Sequence, residues 1–260
     1  MIGHHRTVVS GGSVKAVRGG SGGPVLVLLH GLGGTGAVWQ GVADLLPGCW
    51  PGSWVIPDLP GHGRSDALAR YTFGGLAAAV AGVLEPGRPH AVLGHSLGGV
   101  VGLVLASGWF GVPVSAVCGL GIKVRWSAEE LAKAAELASR PGRVFPTRAE
   151  AADRALRVAG LSGLLPPDSP LVDPGLLETG DGWRLALDPA AFAVGAPDLP
   201  GLLAASRATV TLAAGEYDPM SPQDHLRALC ADPVVLPGLG HNAHVESPAA
   251  MVALLDRLHG

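Results

Sequence analysis

Runs of apolar residues recur along the chain and predict the strands of a buried sheet. The run at 24–29, Pro-Val-Leu-Val-Leu-Leu, contains no polar position, which is typical of a parallel strand covered on both faces. Similar runs follow at 54–56, 91–93, 114–118, 210–213 and 234–236. Near the start, residues 6–9 and 13–18 lie on either side of Ser-Gly-Gly and predict a hairpin.

Segments with the apolar spacing of helices separate these runs, and they include 72–85, 97–107, 221–230 and 248–258. Two of them begin with Ser-Pro, at Ser221 and Ser247, which predicts serine as the N-cap and proline at the first helical position. Strands that alternate with helices indicate an α/β fold: a mostly parallel sheet with helices on both faces.

Residues 122–206 interrupt this alternation. Ser127-Ala-Glu-Glu130 and Thr147-Arg-Ala-Glu150 have the spacing of capping boxes, and each opens an Ala- and Leu-rich helical pattern. Further along, the segment becomes rich in Pro and Gly. We therefore predict a helical cap at 122–206, inserted into a core made of 1–121 and 207–260.

Composition narrows the class of protein. Apolar residues make up 48% of the chain and charged residues 15%, and the net charge is −3. Basic residues are scattered, which argues against a nucleic-acid partner. The first residues lack the apolar core of a signal peptide, no apolar stretch is long enough to span a membrane, and the three cysteines have no metal-ligand spacing. We expect a cytoplasmic protein with no membrane partner, acting as a monomer or homodimer on a small molecule.

Gly94-His-Ser96-Leu-Gly98-Gly99 carries the clearest chemical signal. It fits the G-x-S-x-G pattern, and it follows a predicted strand and opens a predicted helix, which is the context that this pattern requires. A sharp turn there would hold Ser96 in strained backbone with its hydroxyl exposed, and the two flanking glycines would allow close backbone packing. Ser96 is therefore the predicted nucleophile.

Backbone donors for a developing oxyanion are predicted beside Ser96. The loop His-Gly-Leu-Gly-Gly at 30–34 follows the first apolar strand, and we assign one donor to the N–H of Leu32. The N–H of Leu97, directly after the nucleophile, is the second, and it belongs to the first turn of a helix.

An acid and a base should follow the nucleophile in that order. Asp218 lies in a turn after the strand at 210–213, and His241 follows the last strand. Both positions are loops after strands, where open α/β sheets place their sites. Glu216 and His244 are alternatives for the acid and the base.

Five sequence blocks in register resemble the α/β-hydrolase superfamily: HGLGG at 30–34, DLPGHGRS at 58–65, GHSLGG at 94–99, GEYDPM at 215–220 and GHNAHVESP at 240–248. The resemblance implies an eight-stranded sheet with one antiparallel edge strand, and a cap after strand six. It also implies a catalytic triad of Ser96, Asp218 and His241, because relatives use the Asp of this turn and the His directly after Gly. Asp58 and His62 then belong to a structural loop, and His30 and His95 are structural hydrogen-bonding residues.

Such a triad predicts a serine hydrolase that forms an acyl-enzyme on Ser96 and needs neither a metal nor an organic cofactor. Aromatic residues of the cap suggest an apolar pocket, which indicates a small or medium hydrophobic ester, thioester or lactone as substrate. The candidate pocket residues are Trp126, Phe145, Trp183 and Phe192.

Three other functions remain open from the sequence. The tail at 240–248 is also similar to that of the menaquinone-pathway lyase that eliminates pyruvate. Relatives of that lyase have an Arg four residues after the nucleophile, where this chain has Val100, although Arg125 or Arg143 of the cap could compensate. Hydrolysis of a C–C bond in a diketone and a binding protein without catalysis are the remaining alternatives.

Overall fold

The computed structural model describes residues 7–11 and 14–259. Its strands are β1 (Thr7–Gly11), β2 (Val14–Gly19), β3 (Val25–Leu29), β4 (Ser53–Pro57), β5 (His90–His95), β6 (Val114–Leu120), β7 (Leu176–Thr179), β8 (Gly182–Leu185), β9 (Thr209–Gly215) and β10 (Val234–Leu236). All but β7 and β8 form one eight-stranded sheet in the order β1-β2-β4-β3-β5-β6-β9-β10. Each predicted strand is present; parts of the predicted N-terminal hairpin, at residues 6, 12 and 13, lie outside the described residues.

The sheet is mostly parallel, as predicted, with one difference at its edge. Strand β2 runs antiparallel to both β1 and β4, whereas β4, β3, β5, β6, β9 and β10 run parallel to one another. The antiparallel strand is therefore second from the edge, because the hairpin places β1 outside it. The expectation of an antiparallel edge strand is wrong in this respect.

The described helices are α1 (Gln40–Cys49), α2 (Phe73–Ala81), α3 (Leu97–Ala106), α4 (Ala128–Ser139), α5 (Arg148–Val158), α6 (Leu199–Ala205), α7 (Gln223–Arg227), α8 (Ala243–Glu246) and α9 (Val252–Leu258). Short 3-10 helices lie at Gly36–Trp39, Asp173–Gly175, Pro189–Val194 and Pro248–Met251. None of these helices is long and apolar enough to cross a membrane, within the described ranges.

Side chains of β3 divide between two buried clusters, one on each face of the sheet. Leu26 and Leu28 pack with residues of α1 and α9, whereas Val25, Val27 and Leu29 pack with residues of α2 and α3. All five are essentially inaccessible to solvent. The apolar run without polar positions is thus explained by burial on both faces, as in other parallel sheets.

The two Ser-Pro signals have different outcomes: the predicted serine N-cap is wrong at Ser221 and confirmed at Ser247. Helix α7 begins at Gln223 and Pro222 occupies its N-cap. The Ser221 hydroxyl instead donates to the carbonyl of Ile122 at 2.8 Å, which ties the turn before α7 to the residues after β6. Ser247 is the N-cap of a 3-10 helix, without a side-chain hydrogen bond. A buried tertiary partner therefore replaced the local cap at Ser221.

The segment 122–206 lies between β6 and β9 and contains α4, α5, α6 and the β7–β8 hairpin. Ser127 and Glu130 form a complete capping box at α4, with hydrogen bonds of 2.9 and 3.1 Å. The Thr147 side chain accepts the N–H of Glu150 at the start of α5. The two capping signals thus mark real helix starts, whereas the hairpin was not predicted from the sequence.

Candidate active site

Ser96 occupies the turn between β5 and α3, and its backbone is strained. Its φ is 49° and its ψ is −114°. Every other described residue with a positive φ is a glycine. Holding an L-residue in such a region costs about 1–3 kcal/mol. The turn therefore has the strained geometry that the G-x-S-x-G pattern predicts.

Glycines flank Ser96 because neighbouring backbone leaves no room for side chains. A Cβ on Gly94 would lie 2.3 Å from the carbonyl oxygen of Gly98. A Cβ on Gly98 would lie 2.4 Å from the carbonyl oxygen of Leu29 and 2.6 Å from that of His30. These atoms belong to buried backbone and cannot rotate away, so both glycines are required for the turn.

Replacing Gly98 by alanine is expected to lower the free energy of unfolding by about 3 kcal/mol, because the added methyl group overlaps carbonyl oxygens of the sheet. Gly48→Ala is the matched control, since Gly48 also lies in a helix but a Cβ there meets no atom within 4 Å. Alanine at position 48 should stabilise the protein by about 0.5 kcal/mol. Urea unfolding followed by circular dichroism measures both; equal midpoints for Gly98→Ala and wild type would contradict the packing argument.

His241 and Asp218 form a close pair after two neighbouring strands. Asp218 lies in the turn after β9, and His241 lies between β10 and α8. His241 Nδ1 is 3.0 Å from Asp218 Oδ1 and 2.9 Å from Oδ2. The carboxylate is buried and also accepts the N–H of Met220 at 2.8 Å. This contact assigns the proton to Nδ1 and leaves Nε2 as an acceptor.

The alternative acid and base take other positions. Glu216 is exposed and accepts the N–H of Gly238 at 2.9 Å. His244 is buried against the rings of Trp39 and His95, with centroid distances of 4.4 Å to each. Both ring nitrogens of His244 lack a hydrogen-bond partner among the described residues, and burial lowers its pKa to about 3. Neither alternative makes an acid–base pair like the one described above.

Ser96 and His241 line the same cavity. No hydrogen bond joins the Ser96 hydroxyl to His241 in the part of the chain that the structure describes. Catalytic hydrogen bonds are often long in the absence of substrate and shorten when it binds. Proton transfer between these side chains therefore requires a change of rotamer or a bound substrate.

Two backbone N–H groups beside Ser96 are free to bind an anion. Leu32 lies in the loop after β3, and Leu97 is the first residue of α3. Neither N–H donates a hydrogen bond to another described residue, and both residues line the cavity with Ser96. The loop approaches closely, since a Cβ on Gly31 would lie 3.2 Å from the Cβ of Ser96. The arrangement offers two donors beside the serine hydroxyl, as an oxyanion site requires.

Asp58 and His30 hold loops beneath this site. The Asp58 carboxylate accepts the N–H groups of Gly36 and Arg64 at 2.7 and 3.0 Å. His30 Nδ1 donates to the carbonyl of Gly31, and its Nε2 accepts the N–H of Leu59. This pattern suits a neutral ring, and burial lowers the pKa of His30 to about 4.

The remaining histidines near this loop are also structural. His62 stacks edge-on against His30, and burial lowers its pKa to about 3. His95 Nε2 donates to the carbonyl of His241 at 3.0 Å, which supports the loop that carries His241. No cluster of three or more potential metal ligands occurs within the described ranges.

The cavity above Ser96 has a volume of about 470 Å³ and a mainly apolar wall. Both the core and the segment 122–206 contribute to it. Lining residues include Phe73, Val100, Trp126, Leu161, Val194, Pro197 and Met220. Its polar lining includes Lys123 and Arg157, which the sequence did not identify because no local pattern marks them.

Of the four predicted pocket aromatics, Trp126 lines this cavity, and the other three do not. Phe145 and Trp183 pair through backbone hydrogen bonds of 2.7 and 2.8 Å and pack into a buried cluster with α5. Phe192 lies on the 3-10 helix Pro189–Val194, which presents Val194 to the cavity instead. Phe145, Trp183 and Phe192 therefore differ from Trp126 in not lining the cavity that contains Ser96.

Arg125 and Arg143 of the segment 122–206, which were considered as possible anion ligands, also lie outside the cavity lining. Neither Arg125 nor Arg143 lines the cavity, and the Arg143 guanidinium lies over the ring of Phe145 at 4.8 Å. Val100, which replaces the lyase-type arginine, is buried and lines the cavity with an apolar side chain.

Residues 26–254 match the sequence model of the alpha/beta hydrolase family. The chain belongs to this family. The thioesterase domain from the curacin biosynthetic pathway has the same fold as this alpha/beta hydrolase: the TM-score is 0.76 at 22% identity, over 97% of this chain and 98% of that domain.

Curated relatives of this alpha/beta hydrolase differ in the reactions that their names describe. Over 256 residues it is 29% identical to 2-succinyl-6-hydroxy-2,4-cyclohexadiene-1-carboxylate synthase of Klebsiella pneumoniae. This match covers 95% of this chain and 98% of that enzyme. Over 96 residues it is 45% identical to pimeloyl-[acyl-carrier protein] methyl ester esterase of Aeromonas hydrophila. This match covers 36% of this chain and 36% of that esterase. In several such matches the chain spans about a third of the relative's length.

Proposed function

We propose that this alpha/beta hydrolase cleaves small or medium, largely hydrophobic carboxylic esters, thioesters or lactones through an acyl-enzyme on Ser96. One observation carries the proposal. A serine in strained backbone shares a cavity with a histidine whose Nδ1 lies 2.9 Å from a buried carboxylate. Such a serine needs a base and a group that orients the base, and His241 and Asp218 supply these roles.

The proposed reaction begins when Ser96 Oγ attacks the scissile carbonyl carbon and His241 Nε2 accepts the hydroxyl proton. The N–H groups of Leu32 and Leu97 bind the resulting oxyanion; removing one such donor typically costs about 2.7–4 kcal/mol. Collapse of the tetrahedral intermediate breaks the bond to the leaving oxygen or sulfur, which takes the proton from His241. Water, deprotonated by His241, then attacks the acyl-enzyme and releases the acid.

The substrate class follows from the cavity wall. Apolar side chains dominate the lining, so an alkyl or aryl part of the substrate would be buried there. Trp126, Leu161 and Pro197 come from the segment 122–206, and their position supports its proposed role as a cap over the site. We propose that this cap selects the acyl or alcohol group.

A second candidate is the lyase reaction of the Klebsiella pneumoniae synthase. The match to that relative covers 98% of its length. The same serine, histidine and aspartate could abstract a proton from a substrate and expel pyruvate. Val100 argues against this candidate, because it presents an apolar side chain where the lyases offer a charged partner to an acidic substrate. Ester hydrolysis is therefore preferred.

A series of 4-nitrophenyl esters with acyl chains of increasing length tests the proposal. We expect hydrolysis with an optimum at short or medium chains and labelling of Ser96 by a fluorophosphonate probe, located by peptide mass spectrometry. The cyclohexene precursor of the lyase reaction, assayed for pyruvate release, is the parallel arm. A folded protein that hydrolyses no ester and is never labelled would support a binding protein, whereas pyruvate release without ester hydrolysis would support the lyase.

A further inference from the structure

The Lys, Arg, Asp and Glu side chains that line the active-site cavity, among the described residues, are Lys123 and Arg157, and both are basic. Lys123 is paired with Glu130, so Arg157 is the lining cation whose charge no described carboxylate balances through an ion pair. A bound anion would find an attractive potential there.

Arg157 is the less engaged of the two cations. It lies in the last turn of α5, and its exposed side chain forms no ion pair or hydrogen bond with any other described residue. Arg148, on the same helix, instead pairs with Asp173. Because Arg157 is both exposed and part of the cavity wall, this residue lies where the cavity meets solvent.

Lys123 is held in place at the same wall. Its ammonium group pairs with Glu130 and lies 4.8 Å from the centre of the Trp126 ring. The Trp126 Nε1–H is buried and has no hydrogen-bond acceptor among the described residues. Leaving a buried donor unpaired is unfavourable, so this N–H also calls for an acceptor from a ligand.

We infer that the ester bound by this site carries an anionic group, such as a carboxylate, away from the scissile carbonyl, and that Arg157 binds it. This inference rests on the proposed ester hydrolysis. Guanidinium and carboxylate groups form paired, charge-assisted hydrogen bonds. Lys123 adds positive charge beside Trp126, and the apolar wall contacts the chain between the anion and the carbonyl. The substrate is then amphiphilic: an apolar linker with the reacting carbonyl at one point and a negative charge at another.

Two pairs of esters, each matched in shape, test this inference and locate the charge. The mono-4-nitrophenyl ester of adipic acid, compared with 4-nitrophenyl adipamate, places the charge on the acyl group. The ester 4-acetoxybenzoate, compared with 4-acetoxybenzamide, places it on the alcohol. We expect KM to be about fivefold lower for the charged member of at least one pair, since Arg157 is exposed and solvent screens the contact. The preference should weaken at high salt.

Variants of Arg157 link the preference to this residue. Arg157→Gln should raise KM for the charged ester about fivefold and leave kcat and the neutral ester unchanged. Arg157→Lys should restore part of the preference. Arg154→Gln is the matched control, because Arg154 is an exposed arginine of the same helix that does not line the cavity.

Two results would overturn the inference while the hydrolase proposal stands. The first is equal KM for the charged and neutral members of both pairs. The second is a preference for the charged ester that survives Arg157→Gln. If none of the four esters is hydrolysed by the folded protein, the proposed ester hydrolysis fails, and this inference fails with it.

Discussion

Ser96→Ala is expected to lower kcat for 4-nitrophenyl ester hydrolysis by about 10⁵-fold. The remaining rate is the one that the other groups of the site support without a nucleophile. Alanine removes the only atom that can form the acyl-enzyme at this turn. The Leu32 and Leu97 N–H groups would still bind an oxyanion, which accounts for the residual rate. Steady-state kinetics and loss of fluorophosphonate labelling measure the effect.

Ser107→Ala is the matched control for this substitution. Ser107 follows the end of α3, is buried, and donates to the carbonyl of Val104 at 2.7 Å. Losing that hydroxyl should affect stability slightly and leave kcat within about twofold of wild type. The nucleophile assignment would be wrong if Ser96→Ala retained wild-type activity, or if fluorophosphonate labelled a different serine.

Asp218→Asn is expected to lower kcat by about 10⁴-fold with little change in KM. The carboxylate accepts the Nδ1–H of His241, which leaves Nε2 as the acceptor of the serine proton in the proposed mechanism. An asparagine amide can donate to Nδ1 instead, which favours the opposite tautomer. It also cannot stabilise the imidazolium that forms during the reaction.

Glu216→Gln serves as the comparison, because Glu216 is the other acidic residue of this turn. Its carboxylate is exposed and, among the described residues, accepts only the N–H of Gly238, a bond that glutamine can keep through its amide oxygen. We expect activity within about twofold of wild type. Comparable losses for the two variants would show that the turn as a whole, and not the contact to His241, supports catalysis. A large loss for Glu216→Gln alone would reassign the acid.

Features that depend on nearby residues were predictable from the sequence. The strained turn at Ser96 requires small neighbours at 94 and 98, and both signals lie within one short motif. The buried strands were recognisable because burial on both faces removes polar positions from a run such as 25–29. Ser127 and Thr147 were informative for the same reason, since a cap acts only on its own helix.

Features that depend on distant residues were not predictable. Ser221 has the local signal of a cap, yet its hydroxyl bonds to Ile122, far away in sequence. Phe145 and Trp183 were predicted as pocket residues, but they pair with each other within the segment 122–206 and pack against a buried cluster that includes residues of α5. Arg157 lines the cavity only because the end of α5 meets the loop after β3, where a Cβ on Gly33 would lie 2.6 Å from Val158 Cγ1, and nothing in the local sequence indicates this contact.

The φ of 49° at Ser96 has a consequence for how this protein could evolve. Glycine at that position would relax the backbone, and a more stable chain would be one substitution away. That chain would lack the hydroxyl on which the proposed chemistry depends. Selection for stability alone would therefore favour a fold without this activity. A serine that natural variants retain at this position would indicate selection for catalytic turnover.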